Sequence, residues 1–230
     1  MSTSIADLVA WRADRVPALG VFLKDVARRL SAGDPEAFWG CAPAFEALVR
    51  SVAARDLLRA ELDLAAEDPL YTPPSTDALS LVDAHEFGLL LGLVRPAAAG
   101  EPLQSLPEHL QVGVLGPLRL AVDVYAEAPG HRNESVARAR RLRGEGAISL
   151  GPGEIAGFRS GEHVVRFDGP PEGTLCLFFT SAAVQRLRWV YDTNTLLAVR
   201  AHAGLRAEHA PARRRSHLDH RESQGSAWLV

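Results

Sequence analysis

Cysteine and long apolar runs are scarce in this chain of 230 residues. Its two cysteines, Cys41 and Cys176, lie far apart and outside any C-x-x-C pair, which excludes a disulfide scaffold and a cysteine-based zinc site. No apolar run approaches the roughly 18 residues that a membrane-spanning helix needs. The N-terminus has no basic region before an apolar segment, so we expect no secretory signal, and the free cysteines fit a cytoplasmic protein.

An excess of positive charge is also absent, because 25 Lys and Arg residues face 28 Asp and Glu residues and the formal net charge is −3. We therefore expect neither a nucleic acid nor a membrane as a partner. Apolar residues make up 47% and charged residues 23% of the chain. This balance is typical of globular proteins, and the length suits one sizeable core.

The first third of the sequence has helical periodicity. Apolar residues recur at three- and four-residue spacing from Ile5 to Leu30, and Pro17 should interrupt that stretch. Two further helices are predicted, from Glu36 to about Val52 and from Ala54 to Ala66. We expect residues 1–75 to form a helical layer whose apolar face must be buried against another element.

Beyond residue 76 the pattern changes to short apolar or alternating runs, bounded by glycine, proline and charged loops. Such runs are typical of an antiparallel β-sandwich or barrel. They are Phe87–Val94, Gln111–Tyr125, Ala147–Leu150, His163–Phe167, Leu175–Thr180 and Leu196–His202. We expect a mainly β barrel over residues 76–205 and a flexible C-terminal tail over 206–230, with barrel and helices forming one cooperative domain.

The segment Gly144–Phe167 is the most informative in the chain. A Gly151-Pro152-Gly153 turn is followed by a short strand, a second turn and His163. This resembles the second conserved motif of the cupin superfamily, in which the corresponding histidine is a metal ligand pointing into the barrel. The segment Leu89–Glu127 has the strand–turn–strand frame of the first cupin motif.

The helical N-terminal part and the terminal strands are similar to the cysteine dioxygenase (thiol dioxygenase) branch of the cupins. The resemblance covers roughly Leu57 to Ala203. It implies a jelly-roll antiparallel β-barrel and a site for a divalent metal, Fe(II) in that branch.

The metal-binding motif of this chain is degenerate. Counted back from Gly116, Pro102 and Gln104 stand where that branch has two iron-binding histidines. His109 stands where other cupins place a glutamate ligand. Of the three iron-binding histidines that the resemblance implies, only His163 is retained. We do not expect the protein to oxidise free cysteine at the family's rate, because the loss of nitrogen donors weakens Fe(II) binding.

His109 and His163 are the expected catalytic residues, both pointing into the barrel. In one interpretation the metal site is rearranged, and the two imidazoles with an oxygen ligand, Gln104 or Glu108, hold Fe(II) or another divalent metal. In the other, the metal is lost and the histidines act as acid and base or orient the substrate. The residues expected to bind substrate are Gln104, Gln111, Arg119 and Tyr125.

The expected function is that of a cupin-fold enzyme acting on a small molecule in specialised metabolism. It would be an oxidoreductase resembling thiol dioxygenases, or a derived lyase or isomerase. A non-catalytic cupin that binds a small ligand or a protein partner is one alternative. A metal-dependent dioxygenase with a rearranged His/Gln site is another, and a homodimer is also compatible with the sequence.

Overall fold

The helical part comes first in the chain. The computed structural model describes residues 5–30, 36–51, 53–67, 78–127 and 140–203. Within these ranges the helices are α1 (Ile5–Arg15), α2 (Pro17–Leu30), α3 (Ala37–Gly40), α4 (Ala42–Arg50) and α5 (Ala53–Glu67). The predicted break at Pro17 separates α1 from α2. The second predicted helix is divided at Cys41, with Pro43 in the first turn of α4. The predicted tail, 206–230, lies outside the described residues.

The strands follow, and all their pairings are antiparallel. They are β1 (Ala78–Asp83), β2 (Phe87–Val94), β3 (Leu103–Gln104), β4 (Glu108–Val114), β5 (Leu120–Glu127), β6 (Leu142–Leu150), β7 (Ile155–Phe158), β8 (His163–Asp168), β9 (Thr174–Ala183), β10 (Leu187–Tyr191) and β11 (Ala198–Ala203). The predicted fold class, mainly β with a helical N-terminal part and an antiparallel jelly roll, is confirmed.

The described strands form three sheets and do not close into one barrel. The central sheet has the order β1-β2-β9-β4-β7, the facing sheet β6-β5-β8 and the outer sheet β11-β10-β3. Isolated bridges, Ser105 with Val164 and Arg141 with Leu197, join the outer sheet to both edges of the facing sheet. The strands therefore form stacked layers joined at their edges.

The central sheet is buried on both faces. Leu177 and Phe179 of β9 belong to a cluster shared with the helices, whereas Cys176 and Phe178 belong to a cluster shared with the facing sheet. This explains why β9 is apolar at consecutive positions, since a strand covered on both sides has no solvent face. A third cluster, which includes Trp189 and Tyr191, lies between the facing and outer sheets.

A buried ion pair fixes the helical layer to the central sheet. Arg12 of α1, 2% exposed, pairs with Glu61 of α5. The same guanidinium donates hydrogen bonds to the carbonyl oxygens of Ser80 and Leu81 in β1, at 2.8 and 3.1 Å. In the described part of the chain, no helix combines the length and the apolar character needed to cross a bilayer.

Candidate functional site

Strand β4 places His109 against the helices. Leu110, Val112 and Val114 are buried between the central and facing sheets. Alternation turns His109, Gln111 and Gly113 to the opposite face, where the histidine meets α3 and a Cβ on Gly113 would meet Val49 of α4. The three residues share a face as predicted, but that face is covered by helices. Leu110, Val112 and Val114 lie between the two sheets because their side chains carry no polar atoms that need hydrogen-bond partners.

The imidazole of His109 is half-buried between aromatic rings and a turn. It stacks on Phe38 with 5.9 Å between ring centroids and lies 5.2 Å from the Trp39 ring. Its Nδ1 accepts a hydrogen bond from the backbone N–H of Ser160 at 3.1 Å. Burial, and then the nearby charge of Arg159, lower the pKa of His109 below its ordinary value.

His163 begins β8, on the strand face that it shares with Val165 and Phe167. That face packs into the cluster between the central and facing sheets. The imidazole of His163 lies edge-on to Phe158, with 6.3 Å between centroids. Its Nδ1 accepts a hydrogen bond from the backbone N–H of Arg159 at 3.0 Å, and the backbone N–H of His163 donates to the Arg159 carbonyl at 3.0 Å. His163 therefore closes the β7–β8 turn.

The two histidines thus meet consecutive amides of one turn. A backbone N–H can only donate, so Nδ1 of each neutral ring is unprotonated and the proton lies on Nε2. A neutral imidazole in this tautomer donates from Nε2 and has no lone pair there for a metal or a proton. The turn therefore holds His109 and His163 as N–H donors, while placing them on faces of two different sheets.

The turn is anchored at further points. Ser160, 8% exposed, donates from Oγ to the carbonyl of Leu106 at 2.6 Å. The Arg159 guanidinium donates to both carboxylate oxygens of Glu36, at 3.1 and 3.2 Å, and lies 4.8 Å from the Trp39 ring centroid. The hydrogen bond from Arg159 lowers the pKa of Glu36. This network connects the turn to α3.

Gln111 is 1% exposed and extends the site toward α3. Its Nε2 donates to the Phe38 carbonyl at 3.2 Å, but its Oε1 accepts no hydrogen bond within the described part of the protein. The indole N–H of Trp39 is also buried without an acceptor there. Sequence reasoning missed Trp39 as a site residue because an aromatic residue on a helix is also a typical packing residue.

The remaining predicted substrate-binding residues have other partners. Gln104 is half-buried and pairs with Val190 in the outer sheet. Arg119 donates to the hydroxyl and carbonyl of Ser149, both at 2.9 Å, and Tyr125 packs against the third cluster. Across the described ranges, none of these three residues hydrogen bonds to His109 or His163.

The expected metal-ligand set was tested against this geometry. Nowhere in the described residues do three or more His, Cys, Asp or Glu side chains form a group that could hold a metal ion. His109 and His163 carry their protons on the nitrogens that would have to coordinate, and Glu108 is buried at the start of β4. The set of His109, His163 and Gln104 therefore does not fit a divalent metal.

Comparison with known proteins gives weak structural likenesses. No protein-family model matches the sequence, and no curated protein matches it significantly. A solved hydroquinone 1,2-dioxygenase, PnpCD in complex with Cd2+ and 4-hydroxybenzonitrile, is 13% identical, with a TM-score of 0.34 over 50% of this chain and 68% of its own. The DMSP lyase DddQ from Ruegeria pomeroyi is 13% identical, with a TM-score of 0.36 over 60% and 66%.

An uncharacterised Klebsiella pneumoniae protein with a double-stranded β-helix domain is also 13% identical. Its TM-score is 0.29, over 58% of this chain and 94% of its own. Likenesses at this level establish no family and no activity for this chain. The thiol dioxygenase branch is not confirmed and stays a prediction.

Proposed function

We propose that this chain is a small-molecule enzyme built on a cupin-type jelly roll, in which His109 contacts the substrate as a neutral hydrogen-bond donor. The observation that supports this proposal is the amide of Ser160, which occupies Nδ1 and leaves the proton on Nε2. A neutral imidazole that donates from Nε2 can polarise a carbonyl group or stabilise negative charge that develops on its oxygen. This chemistry favours a lyase or isomerase acting next to a carbonyl over oxidation of a thiol.

The neutral state of His109 has two physical supports. Burial and the charge of Arg159 both disfavour the imidazolium. A proton on Nδ1 would also oppose the N–H of Ser160, so the charged ring would lose this hydrogen bond. His109 therefore stays neutral at neutral pH and donates without first losing a proton.

His163 has a different task in this proposal. It is a positioning residue, because its Nδ1 accepts from Arg159 and keeps the β7–β8 turn closed. The closed turn presents the neighbouring amide of Ser160 to His109. The proposal uses no metal, since the predicted donor set among the described residues does not fit one, and the substrate is expected to be a small carbonyl compound.

Matched asparagine variants test both roles. An asparagine Oδ1 can replace Nδ1 as the acceptor of the turn amide, but it leaves no N–H at the position of Nε2. We expect His109→Asn to weaken binding of hydroxyacetone and acetone about tenfold, by loss of one buried hydrogen bond. His163→Asn should leave binding near the wild-type level, whereas His163→Ala should weaken it. Ligand-detected saturation-transfer NMR measures these affinities.

Elemental analysis of the purified protein completes the test. We expect iron, zinc, manganese and nickel far below one ion per chain, in the wild type and in His163→Ala alike. His85→Asn, at an exposed position outside the site, serves as the control for binding. A stoichiometric metal that His163→Ala removes, or carbonyl binding unchanged in His109→Asn, would contradict the proposal.

A further inference from the structure

Two buried polar groups beside His109 lack partners in the described part of the chain. Gln111 uses its amide nitrogen on the Phe38 carbonyl, which leaves Oε1 as an acceptor without a donor. The Nε1–H of Trp39 is a donor without an acceptor. Buried polar groups are almost always hydrogen-bonded, so an unpaired acceptor on a side chain that is 1% exposed requires an explanation.

These groups belong to one small region of the helix–sheet interface. Trp39 directly follows Phe38, whose carbonyl holds Gln111. The benzene half of the Trp39 ring lies over Gly157, with Cζ3 at 2.8 Å from the position of a Cβ there. Gly157 is the cross-strand partner of Gln111 in β7. The Trp39 ring is also 5.2 Å from His109, which lies two residues before Gln111 on β4, so the three residues belong to one region of the interface.

The three groups form a complementary set, which we call the α3 subsite: His109, Gln111 and Trp39. His109 and Trp39 supply N–H donors, and Gln111 supplies a carbonyl acceptor. Arg159 and Glu36, at the edge of this region, neutralise each other. An uncharged ligand is therefore favoured over an anion or a cation.

We propose that the α3 subsite binds a neutral 2-hydroxycarbonyl compound. Its carbonyl oxygen accepts hydrogen bonds from His109 Nε2 and Trp39 Nε1, while its hydroxyl group donates to Gln111 Oε1. The part of this inference that concerns His109 rests on the proposed function; the parts that concern Gln111 and Trp39 do not. The inference names the substrate class and adds Trp39 and Gln111 as specificity-determining residues.

The exposed Glu36–Arg159 pair is the expected approach to the subsite. The side chains of Arg159 and Glu36 are 38% and 63% exposed, and the Arg159 guanidinium lies over the Trp39 ring, 4.8 Å from its centroid. An exposed ion pair contributes little stability and its side chains rearrange at low cost. In this proposal a small ligand reaches Trp39 by displacing the exposed side chains of Glu36 and Arg159.

Hydroxyacetone and acetone are the probes that separate the acceptor role of Gln111 from simple carbonyl binding. They share the carbonyl group, and hydroxyacetone alone adds a hydroxyl donor. We expect hydroxyacetone to bind about tenfold more tightly than acetone, because hydroxyacetone alone has a hydroxyl group that can donate a hydrogen bond to the buried Oε1 of Gln111. The indole N–H resonance of Trp39 should shift on titration with hydroxyacetone.

Trp189 provides a matched control, because among the described residues its indole N–H is likewise buried without an acceptor, but in the third cluster. Its resonance should not shift. In saturation-transfer experiments, Trp39→Phe should weaken hydroxyacetone binding and Trp189→Phe should not. Gln111→Met keeps the side-chain volume and should abolish the preference for hydroxyacetone over acetone.

Three results would overturn the inference. One is equal affinity of the wild type for both probes, and another is an unchanged preference in Gln111→Met. The third is an absence of any shift at Trp39, as expected if only water occupies the region. If His109→Asn loses carbonyl binding while Gln111→Met keeps the wild-type preference, the proposed function stands and the subsite is wrong. If the purified protein contains a stoichiometric metal while Gln111→Met loses that preference, the subsite stands and the proposed function is wrong.

Discussion

The protonation of His109 is determined by its immediate surroundings. Burial has the largest effect and Arg159 the next, and both lower its pKa, while the carboxylates of Glu36 and Glu162 act weakly in the opposite direction. In the unfolded chain the pKa of a histidine returns to about 6.5. Between the folded pKa and this value, the unfolded state binds more protons than the folded state.

The free energy of unfolding should therefore fall as the pH drops from about 6.5 through the folded pKa of His109, and this contribution should be fully present above about pH 6.5. His109→Asn removes the titrating group and keeps an acceptor for the turn. We expect the stability difference between wild type and His109→Asn to shrink as the pH falls in that window, measured by urea unfolding. His85→Asn is the control, and an identical pH slope in wild type and His109→Asn would contradict the assignment.

The placement of individual residues could be predicted from the sequence only in part. The strand period correctly put His109, Gln111 and Gly113 on one face. The period does not show which layer covers that face. The partners of His109 and Gln111, in the β7–β8 turn and α3, are long-range contacts that a strand period does not contain. Trp39 could not be identified, since its place over Gly157 results from strand pairing and helix packing together.

At the scale of elements, α4 packs on β4 through a glycine. A Cβ built on Gly113 would lie 2.3 Å from Cγ2 of Val49. Any larger residue at this position pushes α4 off the sheet, and the movement would reach α3, which adjoins α4 through Cys41. The contact of α3 with His109 and Gln111 thus depends on the close approach at Gly113.

We expect Gly113→Ala to lower the free energy of unfolding by about 1–3 kcal/mol through overpacking. Gly144→Ala is the matched control, because a Cβ on this glycine of β6 meets nothing within 4 Å. Val49→Ala in the Gly113→Ala background should restore part of the loss. Denaturant unfolding measures all four proteins, and equal stability of Gly113→Ala and wild type would show that the approach is not close.

The elements themselves were predicted in part. The break at Pro17, the long strands β2 and β9 and the separation of helices from strands follow from period and turn residues. Short strands such as β3 carry too few residues for a period to appear, and its pairing with Val190 and Tyr191 is a long-range contact. Such contacts also decide how strands divide into sheets, so the arrangement of the jelly roll in three sheets could not be predicted from the sequence.

At the scale of the molecule, the layers bring the site together. The helices cover one face of the central sheet and the facing sheet covers the other, and the β7–β8 turn joins these two sheets at one end. His109 reaches this turn from the central sheet and His163 from the facing sheet. The hydrogen bonds that close the fold at this end therefore also set the tautomer of the two histidines.

The tautomeric state of His109 is the most direct test of the central claim. In a ¹⁵N NMR spectrum of the labelled protein near neutral pH, each imidazole reports which nitrogen carries the proton, and His109→Asn and His163→Asn assign the signals. We predict a neutral ring with the proton on Nε2 for His109, unchanged by added Zn2+. A His109 ring protonated on Nδ1, or on both nitrogens, would contradict its role as a neutral donor.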